Sequence, residues 1–169
     1  MTYAGYFLIA KPMLQEPTFR HTVIFLMAHS AEGAFGLVVN RPTESKGMPW
    51  PIFTGGPCPS PGLIMLHGHA DWVEADEDNE EKVRPLAPGI FSGDAECLER
   101  AALESEEGGR LRFRVFSGYA GWGEGQLEGE LASGAWSLKP ANATLLFETP
   151  VREMWDRLSP PRIPEPSVN

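Results

Sequence analysis

The stretch from Phe116 to Leu131, Phe-Ser-Gly-Tyr-Ala-Gly-Trp-Gly-Glu-Gly-Gln-Leu-Glu-Gly-Glu-Leu, constrains the fold more than any other part of the chain. Glycine admits positive φ and lets other groups approach the backbone closely. Two bulky rings, Tyr119 and Trp122, stand among the glycines and need a surface to pack on. Upstream, Arg110 to Ser117 alternates arginine with apolar residues as a strand does, and Gln126-Leu127-Glu128 opens a helix. The chain therefore runs from a strand through a glycine-built corner into a helix, and the remaining fold must be arranged around that corner.

The 169 residues are 42% hydrophobic and include five Trp and nine Phe, enough for a single domain with a real core. Fourteen basic residues against 23 acidic ones give a net charge of −9. Such a chain is repelled by nucleic acid and by anionic membranes unless it carries a local basic patch. The densest basic stretch, Arg110, Arg112 and Arg114, is three residues on one strand face, and no helix-turn-helix pattern is present, so direct nucleic-acid binding is disfavoured. No apolar run approaches the ~20 residues that span a bilayer. The opening residues lack a cationic segment and a long apolar run, so a cytoplasmic protein is expected. Cys58 and Cys97 belong to no C-x-x-C and are expected as reduced thiols.

Strand signals fall at Tyr6–Ala10, Thr22–Ala28, Ala34–Asn40, Gly62–His67, Arg110–Ser117, Trp136–Leu138 and Thr144–Phe147. Thr22–Ala28 is apolar on both faces, as a doubly covered central strand would be, and joins Ala34–Asn40 in a hairpin with a loop of about five residues. Pro17–Arg20 reads as one helical turn. Helix signals fall at Ser92–Gly109, with Ser92 or Asp94 as cap, at Gln126–Ala132, and at Pro150–Leu158. Residues 71–81 hold seven carboxylates and read as a solvated loop or hairpin tip. Residues 159–169 hold four prolines and are expected to form a flexible tail to a domain over 1–158. The irregular alternation of elements favours an α+β domain with a mixed, mostly antiparallel sheet and a few flanking helices.

Three blocks of residues resemble the bacterial YqgE/AlgH family. The first holds Phe7-Leu8-Ile9-Ala10, Pro12, Pro17, Phe19, Thr22-Val23, His29, Gly33-Ala34, Gly36 and Val39-Asn40-Arg41-Pro42. The second holds Gly55-Gly56-Pro57 and Leu66-His67. The third holds Gly118-Tyr119-Ala120-Gly121-Trp122, Gly125-Gln126-Leu127-Glu128, Glu130, Trp136, Leu146-Phe147 and Trp155. The resemblance implies a compact α+β fold and a bacterial cytosolic protein. It implies little about activity: family members are often labelled transcriptional regulators, a label without a mechanism behind it. This chain departs from the family pattern in its short 43–54 segment, its acidic 71–81 stretch and its proline-rich end.

The candidate chemistry is sparse. Gly121-Trp122-Gly123-Glu124-Gly125-Gln126 fails the G-x-G-x-x-G phosphate fingerprint at its last position, and Glu124, Glu128 and Glu130 would repel an anion, so the corner reads as architecture. His67, His69 and Asp71 would share one strand face and could chelate a metal, although surface or core histidines are the plainer reading. Cys58, after Gly55-Gly56-Pro57, could be a reactive thiol but reads as a small buried substitute. No catalytic residue, metal or cofactor is assigned. The three glycine-bearing turns could converge on one cleft, with Asn40, Arg41, Gly55, Gly56, His67, Tyr119, Trp122 and Gln126 as candidate ligand-binding residues and Arg41 pointing across it. The expected function is a non-enzymatic binding or regulatory protein acting through a protein partner or a small ligand. The alternative is a small-molecule- or nucleotide-binding enzyme that uses that cleft.

Overall fold

In β1 (Tyr6–Ala10) the side chains alternate between two cores: Phe7 and Ile9 join one apolar cluster, Leu8 and Ala10 another. The period of two puts successive residues on opposite faces of a sheet covered on both sides. β2 (Val23–Ser30) does the same, with Val23 and Phe25 on one face and Ile24 and Leu26 on the other. The doubly covered central strand expected there is what forms. The computed structural model describes residues 2–43, 50–73, 84–106 and 111–161.

Two five-stranded sheets make up the fold. The first runs β10 (Trp136–Pro140), β1, β2, β3 (Gly33–Val38), β9 (Ala120–Trp122) and is antiparallel throughout. The second runs β4 (Pro42–Thr43), β5 (Ile52–Thr54), β8 (Phe113–Ser117), β6 (Ile64–His67), β7 (Phe91–Gly93), with β5 and β8 parallel and the other pairs antiparallel. The α+β class with mostly antiparallel strands holds, and the strands divide between two sheets.

The largest cluster joins Phe7, Phe25 and Leu37 of the first sheet to Phe53, Leu66 and Phe116 of the second. α3 (Ala143–Glu148) and α4 (Met154–Leu158) contribute Leu146, Phe147, Met154 and Trp155 to it. α2 (Gln126–Ala132) covers the far face of the first sheet through Leu127, and α1 (Ala95–Glu106) covers the far face of the second through Cys97 and Ala101. Asp94 caps α1: its Oδ1 accepts the Cys97 N–H at 3.0 Å, which holds its carboxyl below the usual range.

Two local expectations are corrected. Thr144–Phe147 is helix, not strand, because Asn142 sits extended before it and its Oδ1 accepts the Leu145 N–H at 2.9 Å. Ala143, Leu146 and Phe147 then share the buried face of the single helix. The β2–β3 hairpin has a loop of two residues, Ala31-Glu32, because pairing continues to Ser30 opposite Gly33 past a bulge between Leu26 and Ala28. The strand face of alternating arginines serves α3: Arg112 pairs with Glu148 at 2.7 Å, and Arg114 donates to the Phe147 carbonyl from between the rings of Phe53 and Phe147. Arg110, residues 74–81 of the acidic stretch and 162–169 of the tail lie outside the described residues.

Gly129 sits exposed in α2 with open space where a Cβ would go. Gly129→Ala is expected to stabilise the protein by about 0.5–1 kcal/mol, read as a shift in the urea midpoint. Gly56 is the contrasting case. Its φ is +156, and a Cβ would lie 2.2 Å from the Tyr119 carbonyl. Gly56→Ala is expected to destabilise by at least about 2 kcal/mol, checked by the same urea titration.

Candidate functional site

Two of the three turns, at residues 55–58 and 117–119, meet main chain against main chain. The Gly55 N–H donates to the Ser117 carbonyl, and the Val38 N–H donates to the Gly55 carbonyl. Cys58 and Tyr119 exchange two backbone hydrogen bonds, each 2.9 Å. A Cβ on Gly55 would lie 2.3 Å from the Gly118 carbonyl oxygen. The turns are packed against each other, and the Tyr119 ring lies on Phe35 with centroids 4.8 Å apart. Trp122 faces the other way, buried with Leu8 and Leu127, and Glu130 accepts the indole N–H groups of both Trp122 and Trp136. Gln126 closes the corner: its Oε1 accepts the Gly123 N–H at 3.0 Å.

Asn40 and Arg41 act on a different segment. Asn40 Oδ1 accepts the Val23 N–H, and its Nδ2 donates to the His21 carbonyl. The Arg41 guanidinium donates to the carbonyls of Pro17, Thr18 and Arg20. It points back onto the 17–20 turn instead of across a groove, because that turn presents three carbonyls within reach of its planar fork. Just beyond the clamp, His21 has φ +55, the left-handed region that non-glycine residues rarely adopt. Its ring stacks on Trp155 at 3.9 Å, and the Trp155 Nε1–H donates to the Ala10 carbonyl at 2.7 Å.

His67 is fully buried on the opposite face of the second sheet. Its Nδ1 accepts the His69 N–H at 3.1 Å, which places its proton on Nε2, 4.0 Å from Cys97 Sγ. Trp72 and Phe91 flank the ring. Burial and the nearby His69 push its pKa down to about 4. Burial raises that of the Cys97 thiol, so the pair is held neutral. His69 and Asp71 do not share a strand face with it. The strand ends at His67, Ala70–Trp72 form a 3-10 turn, and His69 stacks on Trp72 while its Nε2 accepts the Arg112 N–H. Among the described residues no group of three or more His, Cys, Asp and Glu side chains is placed to hold a metal. Cys58 is half-buried, at the bridge with Tyr119.

The candidate residues thus fall into three places: the turn junction, the clamp on residues 17–21, and the buried His67 cluster. Two features escaped the sequence reading. His29 accepts the Tyr3 N–H at Nδ1 and bonds Glu128 through Nε2 at 2.6 Å, tying the β2–β3 hairpin to α2. This bond holds the Glu128 carboxyl below its usual range. A cavity of about 280 Å³ opens beside Trp155, between the end of β1 and the residues after α4. Neither has a motif, since each joins residues more than a hundred positions apart or nearly so.

His67 generates a pH prediction. Its folded pKa, about 4, lies below the 6.5 of an ordinary histidine, so between those values the unfolded chain binds the extra proton. Stability should therefore fall as pH drops from about 6.5 toward 4. The difference in urea midpoint between pH 7 and pH 5 is expected to be smaller in His67→Gln than in the parent protein.

Residues 7–160 match the family model described as AlgH-like. A UPF0301 protein of Acidovorax sp. (strain JS42) is 34% identical, with 93% of this chain and 87% of the relative covered. A UPF0301 protein of Thioalkalivibrio sulfidiphilus is 33% identical, with 90% and 86% covered. The solution structure of the AlgH protein from Pseudomonas aeruginosa superposes with a TM-score of 0.66 at 27% identity, covering 91% of this chain and 85% of that one. A crystal structure of a Corynebacterium diphtheriae protein shares the fold, with a TM-score of 0.70 at 21% identity over 94% and 86% of the two chains. With the match running from β1 past α4, the chain belongs to the AlgH-like family.

Proposed function

We propose that this protein works by binding, without turnover, a small ligand or a protein partner, and that DNA is not a direct target. One observation carries the reading. The polar side chains at the turns are spent on the protein's own main chain: Asn40 on Val23 and His21, Arg41 on three carbonyls, and Gln126 on Gly123. A catalytic group needs a face left open toward a substrate. Against the cleft-enzyme alternative weighs the contact between the Gly55–Gly56 and Gly118–Tyr119 backbones, which occupies the space a ligand would need. The net charge of −9 weighs against DNA. The proposal includes a domain over residues 1–158 with a proline-rich tail from 159, in a cytoplasmic setting. No helix among the described residues is long and apolar enough to cross a membrane.

A thermal-shift screen with nucleotides, metal ions and common metabolites tests the reading, because a ligand of the native state raises the midpoint by mass action. The expected hit is recovered chemically unchanged after prolonged incubation with the protein. Conversion of the hit to a product would overturn the non-catalytic reading. No salt-sensitive gel shift of duplex DNA is expected near physiological ionic strength.

A further inference from the structure

Two imidazoles hold the chain that covers the buried thiol of α1. The His69 N–H donates to His67 Nδ1 at 3.1 Å, and the Arg112 N–H donates to His69 Nε2 at 2.9 Å. An imidazole accepts only through a ring nitrogen that carries no proton, and an imidazolium has no such nitrogen. The two bonds therefore exist only while both rings are neutral. Stacking fixes the rings in place: His67 lies against Phe91, and His69 lies on Trp72 with centroids 4.2 Å apart.

The chain so held is Gly68–Trp72. The Gly68 N–H donates to the Arg112 carbonyl, so Arg112 of β8 grips this segment through both of its backbone groups. Beyond His69 the N–H bonds turn inward, from Trp72 to the His69 carbonyl and from Val73 to the Ala70 carbonyl. The turn carries the Trp72 ring into the cluster of Met65, Cys97, Ala101 and Val115. The Trp72 carbonyl and His67 Nε2 each lie 4.0 Å from Cys97 Sγ, and Cys97 is only 8% exposed. Trp72 and His67 together cover the thiol.

Charges reach the two rings from the turn, from α1 and from β8. Asp71 on the turn, Asp94 before α1 and Glu104 on it favour protonation, while Arg100 of α1, Arg112 of β8 and the histidines themselves oppose it. β7 faces His67 with Phe91 and carries no charged side chain. Burial outweighs the carboxylates and keeps both rings neutral. We propose that residues 68–72 form an acid-operated latch over Cys97: protonating His67 and His69 frees the turn and bares the thiol while the two sheets stay folded. With a folded pKa of about 4 against an ordinary 6.5, His67 alone favours the open form about 20-fold more at pH 5 than at pH 7. Burial lowers the pKa of His69 too, so it acts in the same direction. The latch is independent of the ligand or partner proposed above.

The test uses the full chain carrying Cys58→Ser, so that Cys97 is its one thiol. Its rate of reaction with 4,4′-dithiodipyridine, which attacks thiols in mild acid, is measured from pH 7 to pH 5 and divided by the rate for the same chain unfolded in urea. The normalised rate is expected to rise by about 10-fold or more as the pH falls, with amide hydrogen exchange, corrected for its intrinsic pH dependence, still slow in β1 and β2. His67→Asn sets an acceptor near the Nδ1 position, and His69→Gln sets one near the Nε2 position, and neither titrates. Each is expected to shrink the acid-induced rise. Should His67→Asn fail to fold, His69→Gln and the parent profile decide. A normalised rate independent of pH, loss of protection in β1 and β2 in step with exposure of Cys97, or a rise of parental size in the folded variants would each overturn the latch.

Discussion

The contact on which this architecture depends is that of two glycine-bearing main chains, Gly55–Gly56 against Gly118–Tyr119. The chain crosses between the two sheets on either side of it. β3 of the first sheet leads into β4 of the second, and β8 of the second leads into β9 of the first. Gly55 sits between the two crossings, accepting from Val38 at one and donating to Ser117 at the other. A side chain at Gly55 or Gly56 would strike backbone at 2.2–2.3 Å and push the crossings apart. The sheets could then no longer share the Phe25–Phe53–Phe116 core, since close packing leaves little room to relax.

Around that junction, polar side chains take the place of long regular elements. α2, α3 and α4 span seven, six and five residues, too short to hold by propensity alone. Each is tied from outside. Glu128 of α2 bonds His29, Arg112 and Arg114 hold the end of α3, and Trp155 of α4 bonds the Ala10 carbonyl. The same economy explains why so few polar groups remain for chemistry among the described residues.

The sheet edges are also managed. β4, β7 and β9 are two or three residues long, and the longer edge strand β10 carries Lys139 and ends at Pro140. Short edges, lysine and proline discourage pairing with another chain's strand.

Much of the local structure was legible. Short apolar runs of β-forming residues marked β1, β2 and β3, Asp94 is the one of the two expected caps, Ser92 or Asp94, that caps α1, and Gln126–Ala132 formed as read, because each signal lies within a few residues of what it specifies. Thr144–Phe147 was misread because four apolar residues fit a strand or a helix equally, and the deciding bond came from Asn142 outside the run. The alternating arginines were visible, but the helix end they hold was not. Nor could spacing reveal that Arg41 turns back to residues 17–20, that His67 meets Cys97, or that Lys11 and Asp156 border one cavity. The sequence alone determined the elements, the charge balance and the need for a glycine corner, because propensity, net charge and positive φ are local or additive quantities. Only the tertiary structure decided that the strands form two sheets, that the corner joins them, and that a cavity opens beside Trp155, because those depend on which distant surfaces exclude water together.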